Sequence, residues 1–544
     1  MKKYLFIALA ALGFAACAEK AETNVPVNNG EKEQSYVAIT LKSDDATRAD
    51  GGKYEDGLNE ERAVHEAVVF FFKNGAPFYV KHDGNTSTNE GRFNYLKIKL
   101  EDNDPASDMP NVSDIKDEVL VLENYKGQYP NQMLAVLNWA PAKASYSLSE
   151  LQTLISDLGN DSKGYVMSNS VYADEAKTVI DAVKITEANI SKDEKGALSN
   201  PVNIYVERIA AKVSFSAEKE GIFPIGEQVS NAEGGDGVFG DAPVDVYARI
   251  EGFQLYNDFE DSHLIKNIDA NWTGLGFAWN DPDFHRSYWA KSQTKDFPNN
   301  TFDWNNNYTA LDAAKPFVYC GENTQADKHT KVIVKATLVK KVGNNYEPLE
   351  VVNWFGQNYI GEEQLKIVVA NTLKYTYFTS NDDGKSFVSI APVDLKCVAR
   401  DGGDENAYEV YFQLSDAAST KAWYKFNELK SAYEKYTDNA ALNGELKTDV
   451  QPALVYNDGM TYYYTDIRHL GNGAGNDGDY GVVRNHVYKV NITDIKGFGT
   501  PVYDPEIDIT TPDTPEDMHT FVSAQINILS WRIVAEDYEI GGEY

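Results

Sequence analysis

Arg484-Asn485-His486 sets a guanidinium two residues from an imidazole, a pair that could bind an anion and move a proton. It also opens the alternating run Val487 to Ile492, where hydrogen bonding at a strand entry accounts for it without any chemistry. Gly384-Lys385-Ser386 has the last three residues of a phosphate-binding loop, but Thr379 stands where that loop needs its first glycine. No Gly-x-Ser-x-Gly and no His-Glu-x-x-His occurs, and the eight His are scattered without metal spacing. Gly471 to Gly481 carries Asp477 and Asp479, and Asp102, Asp104 and Asp108 form a second acidic stretch. Neither has the ligand pattern of a calcium loop, and both read as solvated loops. Carboxylate pairs for glycoside hydrolysis stay open, because 83 acidic residues allow many pairings in space. What the sequence does offer is a protease substrate. Arg48 lies in the small, polar stretch Ser43 to Gly52, directly after an alternating strand in which Val37, Ile39 and Leu41 share a face.

The elements that would position these residues are mostly strands. Alternating or continuous apolar runs occur at Val68–Phe72, Val119–Leu122, Met133–Leu137, Val202–Val206, Ile209–Phe215, Val244–Leu255, Val332–Val339, Glu409–Leu414 and Tyr488–Ile492. Leu454 to Tyr462 reads as a hairpin around Asp458-Gly459. Two helices are expected. Ser147 to Leu158 has capping-box spacing at Ser147 and Glu150, and Ser415 to Tyr436 lines up Trp423, Phe426, Leu429, Tyr433 and Tyr436. The fold class expected is mainly β, built of sandwiches with a few short helices.

The chain has 544 residues and a formal net charge of −33, which fits two or three domains and argues against nucleic-acid binding. Lys2 and Lys3 precede a short apolar run, Tyr4 to Ala16, that reads as a secretory signal. Phe14-Ala15-Ala16-Cys17 fits a lipoprotein processing site with Cys17 lipidated, so the membrane is expected as a partner only through that anchor. Cys320 and Cys397 either pair or remain buried thiols, with the thiols favoured. Residues 217–243 look like a connection and 497–517 like a proline-stiffened linker. Beyond it Val522, Ala524, Ile526 and Ile528 alternate, the phase slips at Leu529, and Trp531 and Ile533 continue in the new phase. A strand on a tether needs a sheet to join, its own or a neighbour's.

Six features together resemble a family. They are the lipoprotein-like leader, the first strand with Thr47-Arg48-Ala49, Tyr319-Cys320-Gly321-Glu322-Asn323-Thr324, and Tyr205 to Val213. The last two are Val482-Val483-Arg484-Asn485-His486-Val487-Tyr488 with Gly497 to Pro501, and the closing Thr520 to Ile540. The pattern resembles the fimbrillins of the FimA/Mfa class of Bacteroidota, and its Trp-bearing end is similar to the major shaft subunit of Mfa-type minor fimbriae. The resemblance implies two transthyretin-like β-sandwich domains, expected at 49–217 and 218–496. It implies a signal peptide 1–16, a lipidated propeptide 17–48, a linker 497–519 and a donor-strand segment 520–544. It implies cleavage between Arg48 and Ala49 by an Arg-specific, trypsin-like protease. Loss of the strand bearing Val37, Ile39 and Leu41 would open a groove. The donor strand of another copy, with Val522, Ala524, Ile526, Ile528, Trp531 and Ile533, would fill it. Expected partners are further copies, head to tail, and anchor and tip subunits. The precursor would reach the outer membrane and the mature form an extracellular fimbria supporting adhesion. No enzyme activity, cofactor or metal is expected. Two other readings compete: a monomeric surface glycan-binding lipoprotein using its Trp and Tyr, and a secreted glycoside hydrolase.

Overall fold

The computed structural model describes residues 32–43, 58–82, 92–99, 116–125, 129–173, 178–230, 243–268, 290–293, 304–305, 308–325, 328–400, 408–469, 480–506 and 521–530. Among these the chain is mainly β, with a few short helices, as the alternating runs dictate.

The N-terminal strands are β1 (Lys32–Ser43), β2 (Glu66–Lys73), β3 (Lys116–Tyr125), β4 (Gln132–Leu137), β5 (Met167–Asn169), β6 (Ile190–Ser191) and β7 (Val202–Arg208). All belong to one ten-stranded sheet, in which β6, β1, β7, β5, β4 and β2 are successive neighbours and β3 also pairs with β1. One face closes on itself around Val37, Val69, Phe71, Leu120, Leu122, Met133, Ala135 and Ile204. The other packs Val68, Phe70, Phe72, Leu134 and Val136 against Leu148, Leu151, Leu264 and Ile265. Because β2 is covered on both faces, Ala67 to Phe72 is an unbroken apolar run.

Helix α1 (Asn59–Arg62) precedes β2, and α2 (Leu148–Thr153) follows β4. The expected cap of α2 forms: Glu150 N donates to Ser147 Oγ at 3.2 Å and Ser147 N to Glu150 Oε2 at 2.8 Å. The helix is shorter than its apolar stripe, because Leu154 turns extended and Ile155–Asp157 pairs with Asp261–His263 instead.

The C-terminal strands are β8 (Ala211–Ala217), β9 (Val244–Tyr256), β10 (Phe317–Cys320), β11 (Lys331–Val342), β12 (Val351–Trp354), β13 (Trp423–Asn427), β14 (Ala432–Lys435), β15 (Ala453–Tyr456), β16 (Met460–Asp466), β17 (His486–Lys496) and β18 (Phe521–Ser530). A four-stranded sheet in the order β10-β8-β17-β18 faces a seven-stranded sheet holding β9, β11 and β16. The shared core joins Val213, Phe215, Val490 and Ile492 to Val246, Ala248, Val334 and Ala336, which makes a sandwich. A further unit begins at β12 and ends at β15, which pair at Val351 and Tyr456. Two small sheets and helices α3 (Glu362–Leu373) and α4 (Asn439–Asp449) close it around Val352, Leu365, Val410, Trp423 and Leu446.

Two expectations are corrected. The helix expected over Ser415–Tyr436 is a hairpin, β13 with β14. Trp423, Tyr424 and Phe426 suit a pleated sheet, and Ser431 takes the left-handed conformation in the turn, φ 48°. Leu429, placed on a core stripe by helical spacing, stands at the hairpin tip, 99% exposed. The hairpin expected at Leu454–Tyr462 is a corner instead. Strand β15 pairs with β12, β16 pairs with β11, and Asp458 and Gly459 redirect the chain between sheets. A Cβ on Gly459 would meet Leu338 O at 2.4 Å, so only glycine fits. The buried pair Ile209-Ala210 lies between β7 of the N-terminal sheet and β8, which pairs with β10 and β17. The chain after β17 is docked as far as Glu506. Thr500–Pro501 pairs with β16, Val502 is buried, and Asn305 Nδ2 donates to Glu506 Oε1 at 2.8 Å.

Candidate functional site

Two places gather the residues that the sequence singles out: the berth of β1, and the seam between the two halves.

Strand β1 is an inner strand of its sheet. On one side it runs parallel to β7, with Ile39 opposite Val202 and Ser43 opposite Val206. On the other it runs antiparallel to β3, with Lys32 opposite Tyr125 and Leu41 opposite Lys116. Tyr36 and Val37 also register with β6. Val37 is fully buried. Ile39 and Leu41 sit two and four residues further along the same strand. Strand β18 is an edge strand. Among the described residues it pairs antiparallel with β17 alone, from Lys496 opposite Phe521 to His486 opposite Ser530. Val522, Ala524, Ile526 and Ile528 therefore lie on a strand already seated on its own subunit. Cys17, Arg48, Ala49, Trp531 and Ile533 lie outside the described residues.

The seam collects three of the quoted sequence stretches. Strand β7 ends in Glu207-Arg208, and β8 begins with Ala211-Lys212, across the buried Ile209-Ala210. Lys266 Nζ lies 2.7 Å from Glu207 Oε1, with both side chains almost wholly buried. Arg484 Nε donates to Glu322 Oε2 at 2.8 Å, its Nη2 reaches Glu322 Oε1, and Nη2 also donates to His263 O at 2.6 Å. Lys212 Nζ lies 2.9 Å from Glu61 Oε1, whose carboxylate also accepts from Tyr319 OH and, at 2.7 Å, from Leu58 N. Arg208 Nε donates to Glu61 O at 2.7 Å, and Asn485 N to Ala210 O at 2.7 Å. Apart from the local Leu58–Glu61 bond, these contacts join segments far apart in the chain, and several tie the N-terminal sheet to the C-terminal sandwich.

Burial and ion pairing oppose each other at Glu207, Lys266, Arg484 and Glu61. Burial pushes Glu207 up and Lys266 down despite their mutual attraction. Burial also works against the charge on Arg484, but Glu322 outweighs it and the pKa stands above its ordinary value. For Glu61, burial raises the carboxyl, while Tyr319, Lys212 and Leu58 N together hold it below the ordinary value. Glu61 thus adds stability that is full above the ordinary carboxylate pKa and fades as pH falls through its folded value. Glu61→Gln is expected to cost roughly 1–3 kcal/mol at neutral pH and to flatten the acid side of the stability profile. Urea melts at several pH values check this, and an unchanged acid-side slope would refute it.

These ion pairs make a clamp. Each charge answers another protein charge, and among the described residues no group of three or more His, Cys, Asp or Glu is placed to hold a metal. Cys320 and Cys397 are buried free thiols, each with its pKa pushed up by burial. Arg484 stands at the entry to β17, as its position in the sequence suggests, and its guanidinium is held in the seam by Glu322.

Residues 454–537 match the family described as major fimbrial subunit protein type IV, fimbrillin, C-terminal. That stretch spans β15 to β18, with Arg484 and the corner at Gly459. No curated protein matches the chain. Solved structures to which the chain is similar include a fimbrilin (FimA) from Porphyromonas gingivalis at 12% identity and TM-score 0.36, covering 92% of this chain and 98% of that one. A fimbrial assembly protein from Parabacteroides distasonis is 11% identical at TM-score 0.29, covering 75% of this chain and 100% of that one. The tip fimbrial protein Mfa3 from Porphyromonas gingivalis, with C-terminal truncation, is 11% identical at TM-score 0.28, with coverage of 91% and 99%.

Proposed function

We propose that this chain is a structural subunit of a surface fimbria, polymerising when cleavage after Arg48 releases β1 and a C-terminal segment of the next copy takes its berth. The observation that carries the reading is the seat of β1. It lies inside its sheet, bonded on both edges, and Arg48 follows its last residue, Ser43, by five positions. Removing it leaves unpaired backbone groups on β3 and β7 and opens an apolar face, a strong site for an added strand. The fimbrillin match of residues 454–537 supports the same role. Head-to-tail joining of one berth to one donor does not close, so it builds a filament.

In this reading Cys17 carries the lipid anchor of the precursor at the outer membrane, and an Arg-specific protease makes the cut. The mature subunit joins further copies and the anchor and tip subunits in the extracellular fimbria, which serves adhesion. The seam clamp fits that work, because a rod under load needs the two halves of each subunit held as one piece.

Limited trypsin digestion of the precursor tests the reading. The expected result is a new N-terminus at Ala49 and a ladder of multiples on an unboiled denaturing gel. Resistance at Arg48, or a cut chain that stays monomeric with its C-terminus intact, would refute it.

A further inference from the structure

We infer that the donated segment is the tail 531–544 alone and that β18 stays on its own subunit. The inference rests on the strand-exchange reading above and names which part of residues 520–544 crosses to the neighbour.

Three observations carry it. First, β18 already has a complete berth. Its ten residues register with β17 from end to end, interrupted by one irregularity between Ile492 and Asp494. Strand β17 is inner only because β18 covers it, with β8 on its other edge. Were β18 donated, each filled slot in one subunit would open an edge along β17 in the next. The exchange would then swap one unpaired edge for another, with little net drive. Donation of the tail alone adds a paired strand and removes none.

Second, the sequence divides at this point. Val522, Ala524, Ile526 and Ile528 hold one phase, and Leu529, Trp531, Ile533 and Ala535 hold the other. One flat strand cannot face a single core with both phases, because a one-residue shift turns every side chain over. After Ser530 the tail offers Trp531, Ile533 and Ala535, the same three alternating apolar positions that Val37, Ile39 and Leu41 give up.

Third, the tail starts in a useful place. Ser530 registers with His486, and Asn485 beside it bonds Ala210 in the seam. The chain past Ser530 therefore starts beside the junction of the two halves. Glu506 and Phe521, on either side of the proline-bearing stretch 507–520, are both held on the same subunit.

Two variants and a peptide pair test this, and every chain or peptide that keeps residue 532 carries Arg532→Gln so that trypsin cannot clip the tail. The full-length Arg532→Gln chain is the reference and should form a ladder after the cut at Arg48. Failure of that reference overturns strand exchange itself, and the inference with it. Given a ladder, truncation after Ser530 should leave a folded chain that is cut at Arg48 and remains monomeric. A Lys489→Cys/Asn527→Cys chain, oxidised to staple β18 to β17, should still form the ladder. A synthetic peptide of residues 531–544 should cap the cut reference chain and shorten its ladder, while a peptide of residues 521–530 should not. A ladder from the truncated chain would overturn the division. So would a stapled chain that polymerises only after reduction, or capping by the 521–530 peptide.

Discussion

Replacing Glu322 with Gln is expected to destabilise the chain by roughly 3–5 kcal/mol, the usual cost of leaving a buried charge without its partner. Arg484 is fully buried, and Glu322 takes two of its donors, Nε at 2.8 Å and Nη2. Its remaining bonds go to main-chain oxygens, chiefly His263 O at 2.6 Å, which cannot neutralise it. Arg484→Met alone should cost as much, since it strands Glu322. The double change, Glu322→Leu with Arg484→Met, should recover most of the loss, because a buried pair gains little over apolar side chains of similar volume. Recovery stays incomplete because His263 O loses its donor. The pair belongs to a seam where Leu264, Ile265 and Ile268 also pack on the N-terminal sheet. Each single variant should therefore split one unfolding transition into two, as the halves begin to melt apart. Denaturant melts followed by fluorescence, with hydrogen exchange on each half, read both effects. Single variants within about 1 kcal/mol of the parent would mean that the clamp is not under load.

The strands were legible because their signal is local. Alternation places side chains on faces whatever lies across the sheet, so β7, β9, β11 and β17 stand within a few residues of their apolar runs. The seam was not legible as a unit. Glu322 and Arg484 are 162 positions apart, and Glu207 and Lys266 are 59 apart. Each reads locally as a polar residue on a solvent face, and only the pairing of β8 with β10 and β17 brings them together. The misread helix has the opposite cause. Trp423, Phe426, Leu429, Tyr433 and Tyr436 satisfy a helical stripe, but Phe426 and Tyr433 face each other across a hairpin, with ring centroids 5.1 Å apart. Spacings of three and seven arise in a tight hairpin as readily as on a helix, and the aromatic content of β13 decides between them.

Arg48→Ala is expected to abolish the ladder and leave a folded monomer. With the chain intact, β1 stays tethered to the subunit whose berth it fills, so an arriving donor competes with a strand at very high effective concentration. The berth is also deep. Strand β1 has ten register pairs with β3 and five with β7, and Val37 is fully buried. At roughly 0.5–1.5 kcal/mol per backbone bond, that many pairs hold the strand by on the order of 10 kcal/mol even before side-chain burial is counted. Cleavage alone should therefore not empty the berth. The nicked strand ought to remain bound until a donor displaces it, so polymer growth should lag the cut and depend on subunit concentration. Arg48→Lys separates processing from exchange. Trypsin should still cut it and give the ladder, while an Arg-specific protease should leave it monomeric. Gel ladders from the three chains, with the new N-terminus read in each, measure all of this. Normal polymers from Arg48→Ala would remove the cut from the mechanism. A ladder that rises in step with cleavage, at any subunit concentration, would mean that the berth empties without help from the incoming strand.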